Sequence, residues 1–290
     1  MKIGISADCS SGLEYFPKDH TVQITRTTIN FQEEVLIDGI DITADEFYEK
    51  LSNTDIVPTT SAPTMGEILK TIQYYKDKGY TDVIHFPISY NLSTYGENLK
   101  ATVSDLIEGI NFHVFSTRSA TNIQGYVAYY GEILAKKGYD VETIFRECDK
   151  LRNNIKAYFV VDDLKYLVKN GRLSATAGFI GSLVRVKPIL TLSDQGKIEP
   201  FEKVRTHAKA INRMLEIIDN ESKNHKNVIY VVLHTKRLDD ALEIAEKIKS
   251  TQKNAKRVEV ATITPTVGAH IGCGVLGIGR IVVDDLIEEI

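Results

Sequence analysis

The sequence is poor in cysteine, has no long hydrophobic run and shows no excess of positive charge, and each absence excludes a class of protein. Its 290 residues contain three cysteines, Cys9, Cys148 and Cys273, and none belongs to a CxxC pair. An odd number of scattered cysteines argues against a disulfide framework or a zinc cluster and predicts a reducing, cytoplasmic location. No stretch approaches the roughly 18 consecutive apolar residues that a membrane-spanning helix needs. The net charge of -4 argues against nucleic-acid binding, which needs concentrated positive charge on one face.

Catalytic and nucleotide-binding motifs are also missing. The chain has no HExxH, no GxSxG and no P-loop. Residues 272–277 match GxGxxG, but the sixteen residues after Gly274 read as a strand, without the helix and second strand that a dinucleotide fold needs. Cys9 follows Asp8 at the end of a predicted strand, and since no basic partner is evident we interpret it as an inert thiol. These absences favour a binding protein without a metal or cofactor over an enzyme.

The first half of the chain alternates strands and helices. The N-terminal residues 2–7 read as a first strand, and a helix is predicted from Met65, with Thr64 and Glu67 at capping-box spacing and Gly79 as its stop. Further segments are predicted in alternation: a strand at 83–86, a helix from near Ser93, a strand at 111–115, and helices after Ser119 and from Asp140. This βαβα order predicts a parallel sheet covered by helices.

The pattern changes after about residue 155. Two predicted strands, 188–192 and 197–201, flank Asp194-Gln195-Gly196, which is a hairpin signal. Strands and helices are interspersed in the remainder of the chain. We therefore expect an α/β protein of two domains: residues 1–155 with a parallel sheet, and residues 156–290 as an α+β domain with a mixed or antiparallel sheet.

Two segments before predicted helices carry candidate anion-binding residues. Hydroxyl groups cluster at residues 58–64, and the free N–H groups and dipole of the following helix attract anions. Thr64 alone satisfies the helix cap, so Thr60 and Ser61 are surplus donors. Ser93 lies in a loop after a buried strand, where parallel sheets bind their ligands. Plain helix capping is the alternative interpretation of both segments.

Two later segments can likewise be interpreted either as ligand-binding or as purely structural. Residues 264–274 are glycine-rich and contain His270, which suits a loop that approaches a ligand closely, or a tight turn with a structural histidine. Arg172 follows a short predicted helix that Gly171 stops, and Arg205 lies at a strand-to-helix junction. Each arginine is a candidate for binding an anion, and the alternative is a charged surface.

Together these segments resemble the DegV family almost from end to end. Four separated motifs occur in the family's order, at residues 60–64, 162–174, 187–190 and 268–274. The first strand also closes on an Asp-Ser-rich loop, as it does in that family. Two departures stand out. The family's usual Leu-Ser-Gly-Thr-Tyr is Leu-Ser-Thr-Tyr-Gly at residues 92–96, and Cys9 replaces a usual serine.

The resemblance implies a carrier that binds a long-chain fatty acid between its two domains, without catalysis of its own. The carboxylate loops belong to residues 1–155, and residues 156–290 cover the acyl chain. Related proteins present the carboxylate to a separate ATP-binding kinase subunit, which makes an acyl phosphate. The residues implied for carboxylate binding are Thr60, Ser61, Ser93 and His270. The residues implied for a secondary head-group contact or a kinase-facing surface are Arg172, Arg205, Gly268 and Ala269.

Entry of the lipid requires an element that opens, and the uncharged residues 175–184 are the predicted lid. Phe179, Ile180 and Leu183 would supply its apolar surface, and it would open in transient contact with a membrane. An ordinary buried helix is the alternative. Two other functions stay open. The first alternative is a stand-alone enzyme that uses His270 on a small acyl or phosphorylated substrate. The second is a regulatory protein that senses a lipid.

Overall fold

The structure is a computed structural model that describes residues 2–173, 187–287 and 289–290. The predicted lid residues Phe179, Ile180 and Leu183 lie outside the described residues. No helix in the described part of the chain is long and apolar enough to cross a bilayer. Strands and helices are numbered below in chain order.

The first sheet is parallel throughout and has the strand order β2-β1-β6-β7. Its strands are β1 (Ile3–Asp8), β2 (Gln23–Thr25), β6 (Asp82–Phe86) and β7 (Asn111–Val114). The helices in this part of the chain are α2 (Met65–Asp77), α3 (Tyr95–Thr102), α4 (Thr121–Lys136) and α5 (Val141–Asn153). Every residue of β1 and β6 is buried, as expected for strands that are covered on both faces. The predicted parallel sheet is confirmed.

The second sheet is mixed and has six strands in the order β10-β9-β8-β13-β11-β12. They are β8 (Ile155–Val160), β9 (Lys187–Leu192), β10 (Ile198–Val204), β11 (Val228–His234), β12 (Ala255–Thr262) and β13 (Leu276–Val282). Only β11 and β12 are parallel neighbours, and the predicted hairpin of β9 and β10 is confirmed. Helices α7 (His207–Ser222) and α8 (Leu238–Thr251) pack on one face of this sheet, and α6 (Lys165–Lys169) follows β8.

A third, antiparallel sheet of three strands is absent from the sequence predictions. It consists of β3 (Thr28–Phe31), β4 (Glu34–Ile37) and β5 (Thr59–Ser61), with β3 in the centre, and α1 (Ala44–Ser52) packs beside it. The hydroxyl cluster at 58–64 was expected to be a loop. Its first part is instead an edge strand, because the backbone of Thr59–Ser61 pairs with β3.

The glycine-rich segment at 264–274 was expected to be a loop, and this expectation is wrong for most of it. Pro265–Ile271 forms helix α9, with Thr264 at the N-cap and proline at the first position, where its missing N–H is not needed. Gly268 fits inside this helix because Tyr48 fills the space that a side chain would occupy: a Cβ atom there would lie 2.4 Å from the Tyr48 hydroxyl. Gly272, with φ +81°, ends the helix.

One hydrophobic core lies between the two larger sheets, and α4 runs through it. Ile5 of β1 and Ile281 of β13 belong to the same buried cluster as Val127 of α4. Helix α4 packs tightly against β13 at Gly279, where a Cβ atom would lie 2.1 Å from Cδ1 of Ile123. The division into domains 1–155 and 156–290 stays a prediction.

Candidate ligand-binding site

A pocket lies where the loops of the parallel sheet meet helix α9 and the α4-facing side of the six-stranded sheet. It contains about 1160 Å³ of empty space, including the part that is open to solvent. Its apolar lining includes Ala157, Phe159, Leu192, Leu233, Ile263 and Gly277. Its polar lining includes Asp8, Thr60, Ser93, Arg172, Thr266 and His270. An apolar chamber with a small set of polar groups suits an amphipathic ligand.

Thr60 and His270 come together in this pocket although 210 positions separate them in the chain. Thr60 is the central residue of β5 and pairs with Ile29 of β3. His270 lies in the last turn of α9. The Thr60 Oγ1 atom is 2.8 Å from His270 Nε2, which is a hydrogen bond. Both residues were expected from the sequence at the head group, and the fold places them in direct contact.

His270 is held in its neutral form. Burial and, to a lesser extent, the nearby charge of Arg172 together lower the pKa of this histidine from 6.5 to about 4. Its Nδ1 atom is buried and hydrogen-bonds to no described group. A buried acceptor without a partner is less unusual than a buried N–H without one, which favours the tautomer with hydrogen on Nε2. In that tautomer Nε2 donates to Thr60, and the Thr60 hydroxyl hydrogen is free to point at a ligand.

Arg172 supports the loop that carries Ser93. Its Nε donates to the Leu92 carbonyl at 3.2 Å, and its guanidinium also donates to the Asn170 carbonyl. Ser93 Oγ accepts the backbone N–H of Tyr95 at 3.3 Å, just where α3 begins. Since Ser93 and Arg172 both line the pocket, a hydroxyl donor and a positive charge face the same space as Thr60.

Two other expected site residues do not line this pocket. Ser61 is the neighbour of Thr60 in β5, and successive side chains of a strand point to opposite faces. Its exposed hydroxyl accepts a hydrogen bond from the Asn30 amide at 3.1 Å. Arg205 is exposed in the connection between β10 and α7.

Gly268 and Ala269 are also outside the pocket lining, because helix α9 turns them toward other neighbours. Gly268 packs against Tyr48 of α1. Ala269 is fully buried in the cluster around α1, and its carbonyl accepts a hydrogen bond from the Asn170 amide at 3.2 Å. These two residues position α9 rather than line the chamber.

Asp8 is a pocket residue that the sequence predictions missed. Its buried carboxyl accepts the N–H of Ile88 at 2.7 Å, the N–H of Ser10 at 3.0 Å and the amide of Gln124 at 3.4 Å. Burial raises the pKa of Asp8, and these hydrogen bonds oppose the rise. The carboxyl therefore connects the loops after β1 and β6 with α4. Its position at the end of a parallel strand was the signal in the sequence.

A second buried carboxyl, Asp38, lies behind the pocket. It accepts the N–H of Thr266 at 2.9 Å, and burial raises its pKa to about 6. Cys9 Sγ lies 3.3 Å from Thr266 Oγ1, and burial raises the pKa of Cys9 well above its ordinary value. Full burial and a raised pKa favour the interpretation of Cys9 as an inert thiol, which stays a prediction. Within the described ranges, no group of three or more His, Cys, Asp or Glu residues is placed to hold a metal ion.

Comparison with known proteins gives a consistent result over the whole chain. The model of the DegV family ("Uncharacterised protein, DegV family") matches residues 2–282. A DegV domain-containing protein of Staphylococcus aureus is 31% identical over 284 residues, which cover 97% of this chain and 98% of the relative. The crystal structure of DegV, a fatty acid binding protein from Bacillus subtilis, is 30% identical with a TM-score of 0.87 and covers 97% and 99% of the two chains. A fatty acid binding DegV family protein from Streptococcus agalactiae is 26% identical with a TM-score of 0.88 and the same coverage.

Proposed function

This chain belongs to the DegV family, and on that premise we propose that it binds one long-chain fatty acid in the pocket described above. The carboxylate would lie at Thr60, Ser93 and His270, and the acyl chain would lie against the six-stranded sheet. The similar proteins of Bacillus subtilis and Streptococcus agalactiae are described as fatty acid binding, which supports the proposal.

The observation that carries the proposal is the hydrogen bond between Thr60 and His270 at the wall of an otherwise largely apolar chamber. Each buried methylene contributes about 0.8 kcal/mol, so a tail of about 15 methylenes contributes at most about 12 kcal/mol. The head group therefore need not supply most of the affinity. It must offset the desolvation of the carboxylate, which hydrogen bonds from buried donors can do.

The proposed donors to the carboxylate differ in charge, and this difference affects how accessible the carboxylate oxygens remain to an incoming group. Thr60 and Ser93 offer neutral hydroxyls, and Arg172 adds a positive charge while part of its guanidinium is bound to the carbonyls of Leu92 and Asn170. Neutral donors leave carboxylate oxygens available to an incoming group, whereas a full bidentate arginine pair would hold both.

We also propose that the two domains predicted from the sequence contact different parts of the ligand. Residues 1–155 would form the domain with the carboxylate loops, and residues 156–290 would form the domain that covers the acyl chain. His270 is an exception, because it reaches the head group from the second domain. A ligand that contacts both domains would hold them together.

The finer part of the proposal is that the protein has no catalysis of its own and presents the carboxylate to a separate ATP-binding kinase subunit, which forms an acyl phosphate. The missing nucleotide-binding and nucleophile motifs support a carrier over an enzyme. Transient contact with a membrane surface, where the lipid would be exchanged, belongs to the same proposal.

Binding is tested by calorimetric titration of the delipidated protein with palmitic acid and with hexadecanol. The two ligands have the same chain length and differ in the head group, so we expect the acid to bind more tightly because it accepts hydrogen bonds from Thr60 and Ser93. Failure of the acid to bind, or equal affinity for the alcohol, would contradict the proposed head-group site.

The carrier role is tested by incubating the pure protein with ATP and fatty acid, with and without an ATP-binding kinase subunit. We expect acyl phosphate only when the kinase subunit is present. Turnover by the pure protein would instead support the enzyme alternative, with His270 as acid or base. No acyl phosphate in either reaction, together with normal lipid binding, would support the lipid-sensing alternative.

A further inference from the structure

A second cleft, with a mostly polar lining, lies between the loop after β7 and the turn that joins β9 to β10. It contains about 810 Å³ of empty space, including the part that is open to solvent. It shares Ala157 and Leu192 with the apolar pocket, so the two spaces adjoin along the six-stranded sheet. None of the residues assigned above to the fatty-acid head group lines it.

Positive charge dominates the lining of this cleft. Arg118, Arg152 and Lys156 line it, and the one carboxylate in the described lining is Asp194. Asp194 pairs with Lys156 at 2.6 Å and Asp149, outside the lining, pairs with Arg152. This leaves the charge of Arg118 without a carboxylate partner in the described ranges. Arg118 is half-buried and makes no hydrogen bond or ion pair with another residue of the described ranges. Its left-handed backbone, with φ +51°, is unusual for a residue other than glycine.

Both arginines line the same cleft, and their like charges repel each other. Burial lowers the pKa of Arg152, Asp149 opposes this effect, and the charge of Arg118 adds to the lowering. Part of the Arg152 guanidinium is already used, because it donates to the Ser116 carbonyl and to Asp149. An anion between Arg118 and Arg152 would relieve the repulsion that remains.

Two buried polar atoms beside these charges have no partner among the residues that the structure describes. The hydroxyl of Ser119, a residue that is 3% exposed and lines the cleft, hydrogen-bonds to no described group. The Nε atom of Arg152 is also buried without a described acceptor. Buried donors without acceptors are costly, and a ligand with several acceptor oxygens would satisfy them.

We propose that this cleft binds a phosphate group through Arg118, Arg152, Lys156 and Ser119. A phosphomonoester carries close to two negative charges at neutral pH, and the lining offers it three cations against one carboxylate. Its oxygens suit the planar donors of arginine and a serine hydroxyl. The phosphate belongs either to a soluble phosphomonoester or to a lipid whose chain enters the adjoining apolar pocket. The site does not depend on the proposed fatty-acid function.

Calorimetric titration with glycerol 3-phosphate and with lysophosphatidate tests the site. The variants are Arg118→Asn, since asparagine tolerates the left-handed backbone, and Lys156→Gln. The matched control is Arg146→Gln, which removes one positive charge from the exposed surface of α5, outside the cleft. Each cleft variant should weaken binding of the phosphate probe by about tenfold or more, as expected for loss of a charged hydrogen bond. The control should bind like the wild type, and thermal unfolding would verify that all variants are folded.

The results of these titrations show first whether the phosphate site exists and then whether its ligand is a lipid or a soluble phosphomonoester. Tighter wild-type binding of lysophosphatidate, lost in Arg118→Asn, would identify a lipid source, and equal or tighter binding of glycerol 3-phosphate would identify a soluble one. Either result supports the site. No binding of either probe to the wild type, or an equal loss of binding in Arg146→Gln, would overturn the proposal. Because palmitic acid binding is measured separately, failure here leaves the proposed fatty-acid function intact.

Discussion

At the scale of single residues, the hydroxyl of Thr60 is the most informative group of the candidate site. It hydrogen-bonds to His270, whose pKa is lowered to about 4, so the imidazole is neutral at physiological pH. A neutral imidazole that donates through Nε2 uses the Thr60 oxygen as an acceptor and leaves the Thr60 hydrogen for a ligand. The two residues thus act as one donor unit that adds no charge to the head-group site.

Replacement of Thr60 or Ser93 by alanine should therefore weaken fatty-acid binding by about 1–3 kcal/mol each, since a carboxylate oxygen would lose its donor in a buried site. Calorimetric titration measures the change. Ser61→Ala is the matched control, because it removes an exposed hydroxyl of the same motif that hydrogen-bonds to Asn30 outside the pocket. Unchanged affinity in a Thr60→Ala, Ser93→Ala double variant, or an equal loss in Ser61→Ala, would show that the carboxylate lies elsewhere.

The sequence predicted the residue types of this site better than their geometry. Thr60, Ser93 and His270 were chosen from hydroxyl clusters and a glycine-rich segment, and the fold places all three at one pocket. Ser61 does not line the pocket because successive side chains of β5 point to opposite faces. This strand has only three residues, and no local sequence pattern predicted it. The contact of Thr60 with His270 depends on the packing of segments that are distant in sequence, which a single sequence does not encode locally.

At the scale of elements, helix α9 positions His270 at the pocket. Gly272 ends it with φ +81° and ψ −173°, a conformation that favours glycine. A Cβ atom at Gly272 would also lie 2.6 Å from the ring of Tyr166 in α6. A side chain at this position would therefore disturb both the end of the helix and its packing, only two residues from the imidazole.

Gly272→Ala should lower the free energy of unfolding by about 1–3 kcal/mol from backbone strain alone and should also weaken fatty-acid binding. Gly138→Ala is the control, because Gly138 follows α4 with φ +84° but has open space where its Cβ would lie. That variant should lose some stability and keep its affinity for the ligand. Urea denaturation and lipid titration measure the two effects. Normal binding by Gly272→Ala would contradict the role given to the end of α9.

The predictions of elements were accurate where a local signal was strong. Thr64 caps α2 by accepting the N–H of Glu67, as predicted from the spacing. The other half of the predicted capping box does not form, because the Glu67 carboxylate accepts the N–H of Arg26 instead. Helix α9 was missed because glycine destabilises helices. Gly268 is accommodated there because the ring of Tyr48, from a distant segment of the chain, packs against it.

At the scale of the whole molecule, buried neutral histidines make the stability of the fold depend on pH. His85 is fully buried in the parallel sheet and hydrogen-bonds to the hydroxyls of Ser6 at 2.9 Å and Tyr95 at 3.1 Å. Burial lowers its pKa from 6.5 to about 3. Between these two pKa values the unfolded chain binds a proton at this site and the folded chain does not. The contribution of His85 to stability is therefore lost as the pH falls from about 6.5 toward 3.

The free energy of unfolding should accordingly fall more steeply with decreasing pH in the wild type than in His85→Gln, by up to about 1.4 kcal/mol per pH unit. Urea denaturation from pH 7 to about pH 5 measures both slopes. Parallel slopes would show that His85 titrates alike in the folded and unfolded states, contrary to its burial between Ser6 and Tyr95.

The arrangement of the whole molecule explains why a long apolar ligand suits this chain. The pocket is lined by Ser93 from a loop of the parallel sheet, by Thr60 from the three-stranded sheet and by His270 from α9. Residues of the six-stranded sheet line it as well. Gly277, in one of the two central strands of that sheet, also lines the pocket and adds no side chain to it.

The most direct test of the central claim is mass spectrometry of lipid extracted from the purified, undelipidated protein under denaturing conditions. If the pocket holds its ligand as proposed, the extract should contain about one long-chain fatty acid per protein chain, and the Thr60→Ala, Ser93→Ala double variant should yield less. An extract without fatty acid, from a protein that also fails to bind palmitic acid on titration, would contradict the account.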